Sequence, residues 1–291
     1  MNYHEKKQYF PRFSPNHNQR PFCMIELIIL HYTGMQTSDA ALEWLCNPAS
    51  NVSAHYFVEE DGTIFQLVEE DRRAWHAGVA HWQGACNIND ISIGIEIANC
   101  GHEHGYTDFP AAQIEAVKLL CLDIMQRYEL PAHSVVAHSD VAPTRKQDPG
   151  ELFPWQELAK YGVGIWHDIE FQSIDIKSQS QLDVLQLDDL SDIDNHSQEN
   201  IPQQNPSSKN HSTKNISDKN INDRNTGDRN TSDKNYLQKL QQFGYEIIMG
   251  DELQNQAVII AFQRHFRCKN LSSEWDAECE HILNSLIKIT T

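Results

Sequence analysis

Residues 135–155 read VVAHSDVAPTRKQDPGELFPW and set His138, Lys146 and Asp148 at close spacing. Far upstream, the apolar run IELIILHYT carries His31. His31, His138 and Asp148 are the ligand types of a catalytic zinc site, where three protein groups leave the fourth tetrahedral position open for water. The chemistry to expect is metal-assisted hydrolysis. Each residue also has a plainer reading: a histidine ending an apolar strand can be satisfied by backbone, and an Asp in a Pro/Gly-bounded loop can sit on the surface.

Glu96 is the one acid in the run ISIGIEIA. A carboxylate among apolar neighbours is costly to bury unless it is paired or functional. It either faces the metal, where it can take a proton from water, or faces solvent or an Arg. Lys146 stands two residues before Asp148. It is a surface loop lysine or an electrostatic partner for an oxyanion. His55 and His76 could be a further ligand, a substrate contact or structural residues. The chain has no H-E-x-x-H helix, phosphate-binding glycine loop, G-x-S-x-G elbow or dinucleotide fingerprint, which removes several common enzyme classes.

These residues need elements to position them. The run at 25–31 reads as a buried central strand. Thr37 or Ser38 can cap a helix reaching Leu45. Residues 54–58 and 63–68 flank the turn EEDG and predict a hairpin. Residues 91–98 read as a strand, 110–128 as a helix with Val117, Leu120, Cys121, Ile124 and Tyr128 on its apolar face, and 135–137 as a short strand. Strands alternating with helices predict an α/β fold with one mixed sheet and helices packed on it.

At 291 residues with a net charge of −18, the chain has no basic excess for nucleic acid or anionic lipid. Seven cysteines form no C-x-x-C pair; Cys23, Cys46, Cys100 and Cys121 are expected as buried thiols, and Cys268 with Cys279 could pair but need not. No apolar stretch is long enough to span a bilayer, and the first residues lack a signal-peptide pattern, so a cytoplasmic location is expected. Between 172 and 235 there is no Phe, Tyr or Trp, and a five-residue repeat (SSKNH, STKNI, SDKNI, NDRNT, GDRNT, SDKNY) occupies its second half. Such a composition predicts a disordered linker. Beyond it, Leu237, Leu240 and Phe243, then Val258, Ala261, Phe262, His265 and Phe266, then Ile282, Leu283, Leu286 and Ile287 predict three helices, with Gly244 stopping the first. The domains expected are 1–170 catalytic, 171–235 linker and 236–291 helical.

The segments IILHYT, VSAHYFV, DGTIFQLV, RRAWHAGVAHWQG, NDISIGIEIAN, VVAHSDVAPTRKQDPGELFPWQEL and YGVGIW together resemble the zinc-dependent N-acetylmuramoyl-L-alanine amidases, a family sharing its fold with peptidoglycan recognition proteins. The likeness runs from about residue 14 to 166. It implies a central mixed β-sheet flanked by helices, with Zn2+ on His31, His138 and Asp148 in a groove over the sheet. It implies Glu96 as acid/base, a role that some members share with a Tyr where this chain has Ala54, and Lys146 as oxyanion partner. It places His76 and Asn99 near the peptide stem. The implied substrates are peptidoglycan or anhydro-muropeptides, cut between N-acetylmuramic acid and L-alanine by a monomer. LQKLQQFGYEI and VIIAFQRHFR are similar to the helical peptidoglycan-binding module of some members. The alternatives on the same fold are a non-catalytic recognition module and an inhibitor of a protein partner; the complete set of ligands with Glu96 weighs against the first.

Overall fold

β-branched and apolar runs form the inner strands of a six-stranded mixed sheet, with helices on its faces. The computed structural model describes residues 9–21, 24–167 and 229–291. In chain order the elements are β1 (Phe10–Pro11), β2 (His17–Gln19), β3 (Leu27–Tyr32), α1 (Ser38–Leu45), β4 (Tyr56–Val58), β5 (Ile64–Gln66), β6 (Arg72–Ala74), β7 (His81–Trp82) and β8 (Ala85–Cys86). There follow β9 (Ser92–Ile97), α2 (Ala111–Tyr128), β10 (Val135–Ala137), α3 (His138–Val141) and α4 (Trp155–Ala159). Last come α5 (Arg229–Phe243), α6 (Glu252–Phe266) and α7 (Ala277–Thr290). The expected linker lies outside the described residues, as does Cys23, except that α5 starts inside the final repeats rather than at Tyr236. Among the described residues no helix is long and apolar enough to cross a membrane.

The main sheet has the order β1-β5-β4-β9-β3-β10. β4 and β5 pair antiparallel across the EEDG turn, while β4–β9, β9–β3 and β3–β10 are parallel. Side chains alternate between the faces of a strand. In β9 this sends Ile93, Ile95 and Ile97 into one core with Val117, Leu120, Cys121 and Ile124 of α2. Ser92, Gly94 and Glu96 point to the opposite face. There Phe57, opposite Glu96, packs with Ala41, Leu42 and Leu45 of α1. Thr37 caps α1, its hydroxyl accepting from the Ala40 N–H at 3.2 Å.

The C-terminal helices share the main core with the sheet region. Trp82 lies 5.1 Å from Tyr245 and 6.0 Å from Phe243, both edge-on. Gly244 ends α5 at φ 149°, and a Cβ there would come within 2.8 Å of the Trp82 ring. Only glycine lets the chain turn so close to that indole. A three-helix unit of this size buries little by itself; docking on Trp82, Trp155 and Trp166 extends its core. Cys268 and Cys279 are free thiols. Cys121 and Cys279 are buried, whereas Cys46 and Cys100 are only partly covered, because each lies just past the apolar stretch of its element.

At the far end of α2 a half-buried carboxylate ties helix to sheet. Glu70 accepts from the hydroxyls of Tyr56 at 2.8 Å and Tyr128 at 2.9 Å, and pairs with Arg127. Burial alone would raise its pKa, but the hydrogen bonds and charge of Arg127 outweigh that and bring it below the ordinary 4.5. A depressed carboxylate pKa adds stability that is complete above the unfolded value and is lost as pH falls through the folded one. Urea unfolding of wild type should therefore weaken below about pH 4.5. Glu70→Gln should lose about 1–3 kcal/mol at neutral pH and show a flatter acid limb. An unchanged acid limb in that variant would remove Glu70 from the account.

Candidate metal centre and its cleft

Strand register brings the site together. In the β3–β9 pairing His31 stands opposite Glu96, and in β3–β10 Leu30 stands opposite Ala137. His138, the next residue, starts α3 beside His31. The loop after α3 returns Asp148, whose backbone carbonyl accepts from the Ser139 N–H at 3.0 Å. The Nδ1 atoms of His31 and His138 lie 2.8 Å apart, and each is 3.2 Å and 2.9 Å, respectively, from Asp148 Oδ2. Ligand atoms of a tetrahedral zinc stand about 3.3 Å apart, so this buried triad has close to the needed span.

The hydrogen bonds behind the triad decide where its protons are. The Ser92 hydroxyl donates to the Ile88 carbonyl at 2.6 Å, so its oxygen can only accept from His76 Nε2 at 3.3 Å. His76 Nδ1 then accepts from His31 Nε2 at 3.1 Å, which leaves a lone pair on His31 Nδ1. His138 Nε2 faces the Ala77 carbonyl at 3.2 Å and must donate to it, which leaves a lone pair on His138 Nδ1 as well. Burial, and the neighbouring His138, push the His31 pKa down to about 4, and burial with His31 lowers that of His76, so both rings are neutral near pH 7. Two imidazole nitrogens and a carboxylate oxygen thus converge on one point. A cation fits that arrangement, and both imidazoles are oriented by outer partners as metal-bound histidines usually are.

The triad opens onto a cavity of about 400 Å³ whose walls include Trp44, Trp75, Tyr32, His102, Glu96 and Lys146. Glu96 takes the first of its two open readings: it faces the site. Its Oε2 is buried with no hydrogen-bond partner among the described residues. Burial first, and the Asp148 charge second, raise its pKa well above 4.5, while Lys146 opposes them. Lys146 is half-buried at the cavity wall, and its charge also lowers the His31 pKa.

His76 mainly buttresses His31, with its edge on the cavity. Gly94 makes this arrangement fit, because a Cβ there would lie 2.4 Å from the His76 ring. His55 lies a layer deeper: its Nδ1 accepts from the Gly94 N–H at 2.9 Å, and burial with the nearby Arg20 lowers its pKa to about 3. Asn99 is not among the cavity-lining residues. Its side chain donates to the Thr107 carbonyl at 2.9 Å and accepts from the Gly101 N–H at 3.0 Å, closing the loop after β9. Sequence reading missed the rim formed by Tyr32 and His102. The Tyr32 hydroxyl meets His102 Nδ1 at 2.9 Å, and His102 Nε2 meets Glu151 at 3.1 Å. HEH at 102–104 was the available signal, but nothing local connects it to Glu151.

Comparison with known proteins agrees with this geometry. Residues 18–151 match the sequence profile of the N-acetylmuramoyl-L-alanine amidase family. The chain is 32% identical over 286 residues to N-acetylmuramoyl-L-alanine amidase AmiD of Escherichia coli K12, covering 93% of this chain and 85% of that protein. It is 44% identical over 104 residues to the E. coli 1,6-anhydro-N-acetylmuramyl-L-alanine amidase AmpD, covering 36% of this chain and 55% of that one. Among solved structures, E. coli AmiD with anhydro-N-acetylmuramic acid-L-Ala-D-gamma-Glu-L-Lys superposes with a TM-score of 0.66 at 30% identity, covering 96% of this chain and 93% of that one. AmpDh3 of Pseudomonas aeruginosa in complex with anhydromuramic pentapeptide gives 0.65 at 26% identity, covering 100% and 98%. With its triad, cleft and near-complete alignment to such an enzyme, the chain belongs to the N-acetylmuramoyl-L-alanine amidase family.

Proposed function

We propose that this protein hydrolyses the amide between N-acetylmuramic acid, or its 1,6-anhydro form, and the L-alanine of the peptidoglycan stem peptide, with Zn2+ as cofactor. The observation that carries the proposal is the convergence of three buried ligand atoms in one cavity with a buried carboxyl oxygen that has no hydrogen-bond partner among the described residues. The relatives named as amidases of this bond, and the two similar structures solved with anhydro-muramyl peptides, support the substrate class.

His31, His138 and Asp148 would hold zinc, which supplies Lewis acidity toward a carbonyl and makes water a nucleophile near neutral pH. Glu96 does the proton work. Its carboxyl takes a proton from the attacking water and returns it to the departing L-alanine nitrogen. Burial and Asp148 raise its pKa well above 4.5 against the opposing charge of Lys146, as suits a carboxyl that must carry a proton to the leaving nitrogen. Lys146 faces the negative charge that develops on the lactyl carbonyl oxygen. Trp44, Trp75, Tyr32 and His102 bound the space left for sugar and peptide.

Incubation with anhydro-muropeptides and with intact sacculi, followed by mass analysis, should release free stem peptide beginning at L-alanine. Cleavage at any other bond would refute the assigned activity. Glu96→Gln should lower kcat by about 10²–10⁴-fold while bound zinc, measured by atomic emission, stays stoichiometric. Lys146→Ala should lower kcat by about 10²–10³-fold with a smaller change in KM; an unaltered kcat would return Lys146 to the surface. Chelation should abolish turnover, and added zinc should restore it.

A further inference from the structure

Adjacent residues of α6 reach the site from two sides. Arg264 Nε lies 3.4 Å from Glu151, the carboxylate that holds His102 at the cavity rim. His265 reaches Asp140, two residues beyond His138 and only 1% exposed. Three donors converge on this carboxylate. The Ala137 N–H and His265 Nδ1 meet Oδ2 at 2.9 Å and 2.7 Å, and the Tyr245 hydroxyl meets Oδ1 at 2.7 Å. His265 is itself fixed, stacked on Trp155 with ring centroids 3.9 Å apart. Burial and Asp140 raise the Tyr245 pKa well above 10, so its hydroxyl stays a donor.

We propose that Tyr245 and His265 are positioning residues for the metal centre. Through Asp140 they fix the first turn of α3, and with it the angle at which His138 presents Nδ1. The inference rests on the reading of His138 as a metal ligand. Asp140 performs two tasks with one carboxylate: it caps the Ala137 N–H at the start of α3, and it receives the C-terminal helices. A buried carboxylate keeps its place only while its acceptor sites are filled. With Tyr245 or His265 removed, Asp140 rotates toward water or a new donor, and the cap that sets His138 goes with it. The C-terminal helices are then part of the site as well as an attachment to it.

The test uses the full-length protein, with zinc affinity measured by competition with a chromogenic chelator alongside kcat and KM. Tyr245→Phe keeps the ring and loses the donor; His265→Leu loses the other donor. Each should lower zinc affinity about tenfold, the low end of what outer partners of metal ligands contribute, and lower kcat with KM little changed. His265→Asn retains a donor near Nδ1 and should bind zinc more tightly than His265→Leu. Trp275→Ala is the control. It removes a stacking partner of Tyr236 within the C-terminal helices and should lower Tm without changing zinc affinity. Wild-type affinity in both donor-loss variants would overturn the proposal, as would an equal affinity loss in Trp275→Ala. If His265→Leu does not fold, Tyr245→Phe decides alone. A wild-type protein that binds no zinc would instead refute the metal reading itself.

Discussion

Parallel pairing of β3 with β9 puts His31 beside Glu96, and pairing of β3 with β10 ends where His138 begins. Everything chemical in this molecule depends on that register. A slip of one residue in a strand turns every side chain to the opposite face. His31 and Glu96 would then enter the core under α2, and isoleucines would line the cleft. The alternation in β9 guards against this. Three isoleucines must be buried against Val117, Leu120 and Ile124, so Ser92, Gly94 and Glu96 have only the site face left.

The two small residues of that alternation are as necessary as the acid. Gly94 leaves room for the His76 ring, and Ser92 fixes its tautomer by committing its own hydrogen to Ile88. Orientation therefore passes from a backbone carbonyl through Ser92 and His76 to the Nδ1 lone pair of His31. An Ala at 94 would displace the His76 ring, and a loss of the Ser92 hydroxyl would free its tautomer. Both changes would act on His31 without touching it. The deeper His55 holds the Gly94 N–H and keeps the strand seated under this stack.

The parts of this arrangement legible in the sequence are those set by local periodicity. The inner strands, α1 and α2 follow from apolar spacing with ends shifted by a residue or two, and the three C-terminal helices follow from it too, although α5 begins seven residues before the expected Tyr236. The short edge pieces β1, β2 and β6 to β8 carry too few residues to show a period. For the site, His31, His138 and Asp148 were readable as ligand types, and Glu96 as an acid in an apolar strand. His76 and Asn99 differ in an instructive way. Asn99 follows the active-site strand, yet its amide is taken by the Gly101 N–H, a side-chain turn that competes with any outward role. His76 is set by a contact with β3, remote in sequence, so spacing could not distinguish a buttress from a substrate contact. The link from His102 to Glu151 and Arg264 was unreadable for the same reason.

The polar junction at Asp140 also bears on why the C-terminal helices remain where they are. Their apolar contacts with Trp82, Trp155 and Trp166 supply attraction without direction. Many small rotations of α6 on that surface would bury nearly the same area. Asp140 limits this freedom, because its two oxygens lie under two donors from separate parts of the C-terminal unit, Tyr245 after α5 and His265 in α6. A misrotated dock would leave a buried carboxylate short of donors, at a cost of about 1–3 kcal/mol for each lost bond. Hydrophobic burial thus holds the helices on, and Asp140, together with bonds such as that from Arg264 to Glu151, sets their angle. Because the Asp140 carboxylate also caps the turn that begins with His138, the two halves of the chain cannot be aligned separately.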